Sequence, residues 1–466
     1  MAKLKLRGKD LRKLGYPENR VIGIAIEVMH KHYKHSSLEE ALEMLSKVLA
    51  APAEYLEDPV LVKIADALVE KPGELNAEIP LLEEKREYNI FGRENIEEGA
   101  IRQMDIAVRL PIAVAGSLMP DAHQGYGLPI GGVLATENAV IPYGVGVDIG
   151  CRMCLSIFDL PAIDAEKRDR RLQSILKDNT LFGSGQEFKV SADHEVMERK
   201  EFEEIALVKK LRQRAAKQLG SSGSGNHFVE FGVVEISDEH NEFKLPVGKY
   251  LALLSHSGSR GLGANIANHY TKIAMEKTRL PKEAKHLAWL GLGTQEGMEY
   301  WLAMNLAGDY ASACHHTIHK KIAKELGTQP VAVVENHHNF AWKEMLNGKE
   351  VIVHRKGATP AGKGVLGIIP GSMSAPGFIV RGKGEEAALN SASHGAGRKM
   401  SRTQALNTIT HKALRDILEA HGVLLMGGGL DEAPHAYKDI HEVIKAQKHL
   451  VDIVGTFFPK IVRMDG

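Results

Sequence analysis

The sequence predicts a mixed α/β (α+β) protein in which one large domain follows a small helical N-terminal extension. After about residue 91, short β-branched runs alternate with long helical patterns, whereas the earlier region shows helical periodicity alone. No fixed-period repeat or low-complexity linker interrupts the later region, so its glycine-dense segments read as loops on one scaffold. We therefore expect a helical extension over residues 1–90 and a single domain over residues 91–466, with glycine-rich loops at 123–150, 220–226, 257–263, 357–384 and 394–397.

Local signals place the main helices and strands. In SSLEEALEMLSKVLAAP, apolar residues recur at helical spacing, and Ser37 with Glu40 forms a capping-box pattern. PVLVKIADALVEKPG predicts a second short helix that is closed by Pro72 and Gly73. Further along, VAVVEN and EVIVHRKG predict buried strands, and ALVKKLRQRAAKQLG and GMEYWLAMNLAGDYASACHHTIHKKIAKELG predict long helices that end at glycine.

Composition narrows the class of protein. The chain has 466 residues, of which 44% are hydrophobic and 25% charged, as in ordinary soluble globular proteins. Lys+Arg and Asp+Glu both total 59, so a nucleic-acid partner would need a local basic groove rather than a global positive field. The charged N-terminus lacks a signal-peptide pattern, no apolar run approaches the roughly 20 residues of a membrane span, and three cysteines favour a reducing compartment. We expect a cytoplasmic protein with no membrane association.

A cysteine, an aspartate and several histidines suggest a metal site. Asp148 lies three residues before Cys151, and His227, His256 and the pair at 337–338 all stand beside glycine, serine or asparagine. A carboxylate, a thiolate and imidazoles suit divalent transition metals such as Mn, Co or Zn. One thiolate could also bridge two ions.

Two other patterns compete with this interpretation. The Cys151-x-x-Cys154 spacing is typical of redox-active pairs, but no thioredoxin-like context follows it. His315 and His319 share a helix face and could bind a metal, yet no glutamate completes an HExxH pattern there. A packed helix face is the favoured reading of that histidine pair.

Two glycine-rich segments suggest phosphate binding. IIPGSMSAPGF (368–378) and SHGAGRKMSR (393–402) offer consecutive backbone N–H groups, and we expect SHGAGRKM to open a helix whose dipole favours an anion. Neither segment matches a P-loop, which argues against ordinary kinase or GTPase chemistry. Nearby cations strengthen the phosphate interpretation: Arg398, Lys399, Arg402, Arg355, Lys356 and Lys363.

Eight motifs occur in an order that resembles the RtcB family of RNA-splicing ligases, which depend on GTP and manganese. They are MPDAHQGYGLPIGGV, GVGVDIGC, GSGNHFVE, SHSGSRGLG, ENHHN, HRKGATPA, PGSM and SHGAGR. The resemblance runs from about residue 95 to the C-terminus. It implies a single α/β catalytic domain of the RtcB type, distinct from ligases that use a lysine nucleophile.

The resemblance also implies a two-manganese site and a covalent mechanism. Asp148, Cys151 and His227 would hold one ion, and Cys151, His256 and His338 the other, with His338 chosen over His337 because it directly precedes Asn339. His394 would become guanylylated. The residues expected to contact GTP are Asn226, His227, Phe228, Val229, Glu230, His338, Asn339, Pro370, Gly371, Ser372, Met373, His394, Gly395, Ala396 and Gly397, with Glu230 as the guanine reader.

The family reaction joins an RNA 3′-phosphate or 2′,3′-cyclic phosphate to a 5′-hydroxyl, as in tRNA splicing or RNA repair. Whether an archease-type activator takes part is left open by the sequence. Two alternatives from other classes remain: a GTP- and metal-binding protein that holds RNA ends without sealing them, and a dinuclear metallophosphatase.

Three positions depart from the family pattern. Arg152 follows the bridging cysteine where glycine is usual, and Gly377 stands where a serine is expected. Asp465 occupies the place of a lysine that reaches the nucleotide base, a role that Arg463 could take over from two residues earlier. These departures bear on nucleotide affinity and RNA choice, whereas the metal and nucleophile positions are intact.

Overall fold

The computed structural model describes residues 4, 6–17, 20–69 and 78–466. The chain divides into two compact units, Met1–Glu78 and Ile79–Gly466. The second unit therefore begins before residue 91, and it includes a strand at Tyr88–Ile90 that pairs in parallel with Gly116–Leu118. No helix within the described ranges is long and apolar enough to cross a membrane.

The first unit is helical. Its expected capping box is confirmed, because Ser37 Oγ accepts a hydrogen bond from the Glu40 N–H at 3.2 Å and the Glu40 carboxylate accepts one from the Ser37 N–H at 2.8 Å. The second predicted helix is present at Val62–Val69, and its proposed Pro72–Gly73 stop lies outside the described residues. The helices described in this unit are α1 (Gly8–Lys13), α2 (Arg20–His32), α3 (Leu38–Ala50) and α4 (Val62–Val69).

The second unit combines helices with strands, which confirms the mixed α/β class. Its described helices are α5 (Glu98–Ala107), α6 (Pro142–Val145), α7 (Ile163–Glu166), α8 (Arg170–Asn179), α9 (Glu201–Glu204), α10 (Ala206–Gln218), α11 (Arg260–Lys277), α12 (Gln295–Leu326), α13 (Arg402–Thr408), α14 (His411–Ala420) and α15 (Ile440–Ala446). Its described strands are β1 (Tyr88–Ile90), β2 (Ala113–His123), β3 (Ile130–Thr136), β4 (Ala139–Val140), β5 (Arg152–Pro161), β6 (Phe228–Ile236), β7 (Gly248–Ser257), β8 (Leu290–Gly291), β9 (Ala332–His337), β10 (Asn339–Leu346), β11 (Lys349–Lys356), β12 (Ala358–Pro360), β13 (Leu366–Ile369), β14 (Gly377–Gly382), β15 (Ser391–Ser393), β16 (Leu424–Met426) and β17 (Val451–Met464).

Two sheets dominate the second unit. The larger has the order β13-β14-β17-β6-β7-β5-β9, with β16 added alongside β17, and the smaller has the order β1-β2-β3-β11-β10. In the larger sheet β5 pairs antiparallel with both β7 and β9, and β7 pairs antiparallel with β6. The first residues of β5 and β6 therefore lie beside the last residues of β7 and β9. We call this side of the sheet, where the strands begin or end, its edge.

The long predicted helices and both predicted strands are confirmed, and β11 is buried as expected. The expected burial of the VAVVEN strand is wrong, because β9 is only partly buried and Val333 is 51% exposed. Helix α12 ends where Gly327 adopts a left-handed conformation (φ 77°), as the glycine stop predicts. Tyr300, Met304 and Tyr310 of this helix are fully buried in the largest apolar cluster of the unit. Helix α12 therefore forms a rigid, buried support, and it contacts both β5 and β7.

The buried His354 on β11 holds two backbone segments together. Its Nε2 accepts a hydrogen bond from the Ile141 N–H at 2.9 Å, and its Nδ1 lies 3.2 Å from the carbonyl oxygen of Leu134. The ring is therefore neutral, with the proton on Nδ1. Burial lowers the pKa of His354 to about 4. Protonation would place a second donor against the Ile141 N–H.

We expect His354 to make the protein less stable in acid. Between pH 6.5, the usual histidine pKa in an unfolded chain, and pH 4, the unfolded state binds a proton that the folded state excludes. His354 should contribute a fall in the free energy of unfolding of roughly 1.4 kcal/mol per pH unit through this window, which is the difference in slope between the wild type and a variant that does not titrate at this position. Urea unfolding between pH 8 and pH 4.5 measures this slope.

The matched variant is His354→Gln, whose amide can accept from Ile141 and donate to Leu134 without titrating. It should retain the fold and show a shallower fall in stability below pH 6.5. An identical slope in the two proteins would contradict the assignment.

Candidate active site

A cavity of about 290 Å³ lies at the edge of the larger sheet where the starts of β5 and β6 meet the ends of β7 and β9. Each strand delivers a residue to this edge. Cys151 immediately precedes β5, His227 precedes β6, His256 is the penultimate residue of β7, and His338 follows β9. The fifth expected ligand, Asp148, lies in the same cavity. The sheet pairing thus assembles residues that are up to 190 positions apart (338 minus 148).

The spacing of the donor atoms fits coordination of metal ions. Cys151 Sγ lies 3.2 Å from His256 Nε2 and 3.5 Å from His227 Nε2. His256 Nε2 lies 3.3 Å from His338 Nε2, and His227 Nε2 lies 3.0 Å from Asp148 Oδ2. Two ligands that each stand about 2.0–2.3 Å from one ion are separated by roughly 3–4 Å. The Cys151 thiol lies near His227 and near His256, which belong to the two different ligand sets, as a bridging ligand must.

The protonation states of the cluster also suit a metal. Burial lowers the pKa of His256 to about 3 and holds that of His338 far below its usual range, so both imidazoles are neutral. Burial alone would raise the pKa of Asp148, but the His227 and Arg260 side chains outweigh it and keep the carboxylate ionised. Burial and the Asp148 charge raise the pKa of Cys151, so a bound cation would have to displace the thiol proton.

Two histidines show how their rings are oriented. His256 Nδ1 donates to the carbonyl oxygen of Asn226 at 3.0 Å, which leaves Nε2 free to face Cys151. His338 Nδ1 is buried without a hydrogen-bond partner among the described residues. The Nε2 atom of the same ring faces His256 at 3.3 Å, so Nε2 is the atom that points into the donor cluster.

Arg260 is a cation at this site that sequence reasoning missed. Its Nη2 lies 3.0 Å from His227 Nδ1, and its backbone has a positive φ of 54°, which is uncommon for a residue with a side chain. Gly223 makes room for the guanidinium, because a Cβ there would stand 1.3 Å from Arg260 Nη1. Gly258 similarly makes room for the carboxylate of Asp148 at 2.1 Å. Glycine is needed at both positions because a neighbouring side chain packs where a Cβ atom would otherwise lie.

His394 is held by Asp121, a second functional residue that sequence reasoning missed. Asp121 Oδ2 accepts from His394 Nδ1 at 2.6 Å and from the backbone N–H groups of His394 and Gly395 at 3.1 and 3.3 Å. The His394 ring lies 4.9 Å from the His338 ring, centroid to centroid. Because Nδ1 is engaged by the carboxylate, Nε2 is the nitrogen free to react. Asp121 stands within the MPDAHQGYG motif, but as a fully buried carboxylate inside β2 it gave no sign of its partner.

The expected GTP-contacting residues lie around the same cavity with one exception. Val229 is fully buried in the apolar cluster on the opposite face of β6, because side chains alternate along a strand. The structure places the others in the cavity lining: Asn226, His227, Phe228, Glu230, His338, Asn339, Pro370, Gly371, Ser372, Met373, His394, Gly395, Ala396 and Gly397.

The expectation that SHGAGRKM opens a helix is wrong. Strand β15 ends at Ser393, a loop follows, and α13 begins only at Arg402, with Ser401 as its N-cap. The stronger capping residue lies eight positions after Ser393 and sets the helix start. The backbone N–H groups at 394 and 395 are accordingly directed at Asp121 rather than along a helix axis.

Of the expected cations, Arg398 and Arg402 line the cavity. Both pair with Glu432, a buried carboxylate that also accepts from the Tyr437 hydroxyl. Arg355, by contrast, is buried and bonded to Glu344, Ser391 and the Leu389 carbonyl, so its role is structural. Lys356 donates to the carbonyl oxygens of Tyr126 and Tyr143, and Lys363 and Lys399 do not reach the cavity.

The chain end does not supply the cation that sequence reasoning allowed for. Arg463 points away from the cavity and stands over the Phe182 ring at 5.9 Å, whereas its neighbours Val462 and Met464 line the cavity. The suggestion that Arg463 substitutes for a base-contacting lysine is therefore wrong. Asp465 does not line the cavity either, and its carbonyl oxygen accepts from Gly428. Gly377 does line it.

The competing histidine and cysteine patterns lie elsewhere. His337 packs between the rings of Phe340 and Trp342, at 5.0 and 4.9 Å, outside the cavity lining, so the geometry favours His338 as the ligand. Cys154 is 3.9 Å from His319 on the other side of the sheet, which gives no support to a Cys151–Cys154 redox pair. Cys154, His315 and His319 form a second buried cluster of potential ligands.

A thiol, three imidazoles, a carboxylate and a carboxylate-oriented histidine in one cavity fit the class of metal-dependent enzymes. Comparison with known proteins is consistent with that class. The sequence profile described as "tRNA-splicing ligase RtcB" matches residues 103–465. RNA-splicing ligase RtcB of Escherichia coli K12 is 33% identical over 399 residues, which cover 78% of this chain and 93% of that protein.

Archaeal relatives show the same extent of similarity. The tRNA-splicing ligase RtcB of Methanococcus maripaludis is 32% identical over 422 residues, covering 75% of this chain and 88% of the relative. That of Thermococcus kodakarensis is 30% identical over 455 residues, covering 82% and 91%. The chain belongs to the RtcB family of RNA ligases.

Proposed function

We propose that this protein is a GTP- and Mn²⁺-dependent RNA ligase that joins RNA 3′-phosphate or 2′,3′-cyclic phosphate ends to 5′-hydroxyl ends through a guanylylated histidine. The observation that carries the proposal is the position of His394. Its ring is oriented by Asp121 and lies 4.9 Å from the ring of His338, a member of the metal-binding cluster. A nucleophile beside metal ligands suits attack on a metal-bound triphosphate.

The ligand set divides between two ions. Asp148, Cys151 and His227 would hold one Mn²⁺, and Cys151, His256 and His338 the other, with the thiolate shared. Two bound cations would neutralise the triphosphate and stabilise charge during an in-line displacement. The separations of 3.2 and 3.5 Å from Cys151 Sγ to the two histidines support the shared role.

The chain's own residues prepare the first chemical step. Asp121 fixes the proton of His394 on Nδ1, so that Nε2 carries the lone pair. Nε2 attacks the α-phosphorus of GTP, a nitrogen–phosphorus bond forms, and pyrophosphate leaves. As positive charge develops on the imidazole, the buried carboxylate 2.6 Å away stabilises it.

The remaining cavity would bind the nucleotide. Small residues line it at Gly371, Ser372, Gly395, Ala396 and Gly397, which suits close approach of phosphates. Glu230 lies in the lining, 5% exposed, and burial raises the pKa of its carboxyl, so the ionised form needs donors such as those of a bound base to stabilise it. We assign it to the guanine edge, where a carboxylate accepts from N1–H and N2–H.

The later steps use RNA as substrate. A cyclic end is opened to the 3′-phosphate, GMP passes from His394 to that phosphate, and the 5′-hydroxyl then attacks and expels GMP. We place this reaction in tRNA splicing or RNA repair in the cytoplasm, with an archease-type protein as a partner to test.

Labelled GTP distinguishes this function from a metallophosphatase or a protein that only binds RNA ends. The protein is incubated with Mn²⁺ and [α-³²P]GTP and analysed by denaturing electrophoresis, and then with RNA that carries 3′-phosphate and 5′-hydroxyl ends. A ligase gives a covalent adduct and a sealed product. Hydrolysis of the 3′-phosphate without an adduct would favour the phosphatase.

We expect Cys151→Ala to lose bound metal, because the substitution removes one ligand from each ion. Elemental analysis of the purified protein measures the Mn content per chain. Cys154→Ala is the matched control, since its thiol lies beside His319 rather than in the cavity. Equal metal content in Cys151→Ala and the wild type would end the bridging assignment.

We expect His394→Ala to form no GMP adduct, yet to join an RNA whose 3′-phosphate already carries GMP. Asp121→Asn should slow adduct formation by roughly 100-fold, because it weakens the orientation of His394 and the stabilisation of its charge. The control is His337→Phe, which keeps aromatic packing outside the cavity. Adduct formation at the wild-type rate in His394→Ala would rule this histidine out.

We expect Glu230→Gln to weaken GTP binding by about 1–3 kcal/mol, because an amide offers one acceptor where guanine presents two donors. The rate of adduct formation at saturating GTP should change little. Glu235→Gln, an exposed position on the same strand, is the control. If Glu230→Gln and Glu235→Gln bind GTP equally well, the base lies elsewhere.

A further inference from the structure

Helix α12 carries two histidines that the proposed mechanism does not use. His315 and His319 lie against the side of the larger sheet opposite the cavity, where they meet Ser255 and Ser257 of β7 and Ser156 of β5. All five side chains are at most 6% exposed. On β7 the metal-cluster residue His256 stands between the two serines, with its side chain in the cavity. The pair of histidines thus contacts the strand directly behind that ligand.

The hydrogen bonds of this group have a single consistent direction. His315 Nε2 lies 3.1 Å from the carbonyl oxygen of Ser257, which can only accept, so His315 Nε2 carries the proton. His315 Nδ1 must then accept from the Ser255 hydroxyl, 2.6 Å away. With its hydrogen used, Ser255 Oγ accepts from His319 Nε2 at 2.7 Å. His319 Nδ1 is left to accept from the hydroxyl of Ser156 at 2.7 Å.

The backbone carbonyl of Ser257 therefore fixes the tautomers of His315 and His319. It also fixes the direction in which the Ser255 and Ser156 hydroxyls donate. Burial lowers the pKa of His319 to about 3 and that of His315 well below its usual range, so both rings stay neutral at physiological pH. A neutral, fully satisfied polar network in a core is rigid, because breaking any bond leaves a buried group without a partner.

The distances argue against a metal ion in this second cluster. In the cavity, donor atoms stand 3.2–3.5 Å apart around Cys151. Between His315 and His319, Ser255 Oγ lies at 2.6 and 2.7 Å from the two ring nitrogens, which are hydrogen-bond lengths. The hydroxyl occupies the space between the imidazoles, and Cys154 Sγ approaches His319 only to 3.9 Å.

We propose that the chain Ser156–His319–Ser255–His315, which we call the brace, positions the metal centre by fixing β7 against helix α12 and strand β5. The proposal rests on the metal centre of the proposed function. Ser255 pairs with Cys154 on β5, and Ser257 with Arg152, the residue after the bridging cysteine. A strand held at both flanking residues cannot shift or twist, so His256 Nε2 stays directed at Cys151 Sγ. His315, His319 and Ser255 are positioning residues.

Cobalt(II) spectroscopy on the full-length chain tests the brace. Co²⁺ bound to a thiolate gives a charge-transfer band and visible d–d bands that report ligand geometry, a readout that a general loss of stability does not shift. Ser255→Ala removes the central hydroxyl. Cys314→Ala is the control for a change in the buried face of α12, since Cys314 is fully buried beside His315 but outside the brace. Cys154→Ala removes the third ligand that a metal site here would need.

We expect Ser255→Ala to bind Co²⁺ about tenfold more weakly, with shifted d–d bands, as is typical for residues that orient metal ligands. Cys314→Ala and Cys154→Ala should match the wild type. Unchanged affinity and bands in Ser255→Ala would overturn the brace. Co²⁺ binding by Cys151→Ala that disappears when Cys154→Ala is added would show a metal site instead.

A second measurement reads the tautomers of the brace in the wild-type protein. In ¹⁵N-histidine-labelled wild-type protein, both rings should show the tautomer protonated on Nε2, with the signals assigned by their loss in His315→Gln and His319→Gln. A proton on Nδ1 of either ring would overturn the brace. If the wild type gives no Co²⁺–thiolate band at all, the proposed metal centre fails and the positioning role fails with it. A normal wild-type band with an unaltered Ser255→Ala spectrum refutes the brace alone.

Discussion

The antiparallel pairing of β5 with β7 and β9 is the constraint on which the candidate site depends. Met153 pairs with His256 on one side and with Asn336 on the other, which fixes where the ends of these strands fall. A shift of one residue would turn His256 into the core on the opposite side, because side chains alternate along a strand. The register of one sheet therefore determines whether the donor atoms around Cys151 meet.

The same edge concentrates polar groups that a core excludes unless each has a partner. His256 satisfies one ring nitrogen with the Asn226 carbonyl and directs the other into the cluster. His338 Nδ1 and Asp121 Oδ1 are buried without hydrogen-bond partners among the described residues. Such groups lower stability in a closed protein, and one of them on a candidate metal ligand and another on the partner of His394 fit a site built for ligands rather than for folding.

Much of the site could be predicted from the sequence because its residues stand in loops with distinctive neighbours. Asp148, Cys151 and His394 each have a glycine within two positions, and their chemistry is visible in the residue type alone. Asp121 could not be assigned its role, because a carboxylate within a strand reads as surface unless its partner, 273 positions away, is known. Long helices with glycine stops were equally accessible, whereas the start of α13 depended on which of two serines, Ser393 or Ser401, would act as the cap.

Orientation was the other property that the sequence left undetermined. Arg463 lies only two residues before Asp465, which suggested that its side chain could reach the nucleotide. Side chains alternate along β17, however, so Arg463 lies on the opposite face from Val462 and Met464. Val229 fails as a cavity residue for the same reason. Position along a strand predicts the face only when the register and the buried side are both known.

The departure at Arg152 shows how a change next to a critical residue can leave the cavity unaltered. Its guanidinium pairs with Glu335 and donates to the Gly308 carbonyl of α12 at 2.8 Å, on the side of the sheet away from the cavity. Glu335 also accepts from Ser312 of the same helix. The substitution thus adds contacts between β5, β9 and α12, the helix that the brace also uses. Because a strand presents consecutive residues to opposite faces, Arg152 makes these contacts behind Cys151 without entering the cavity.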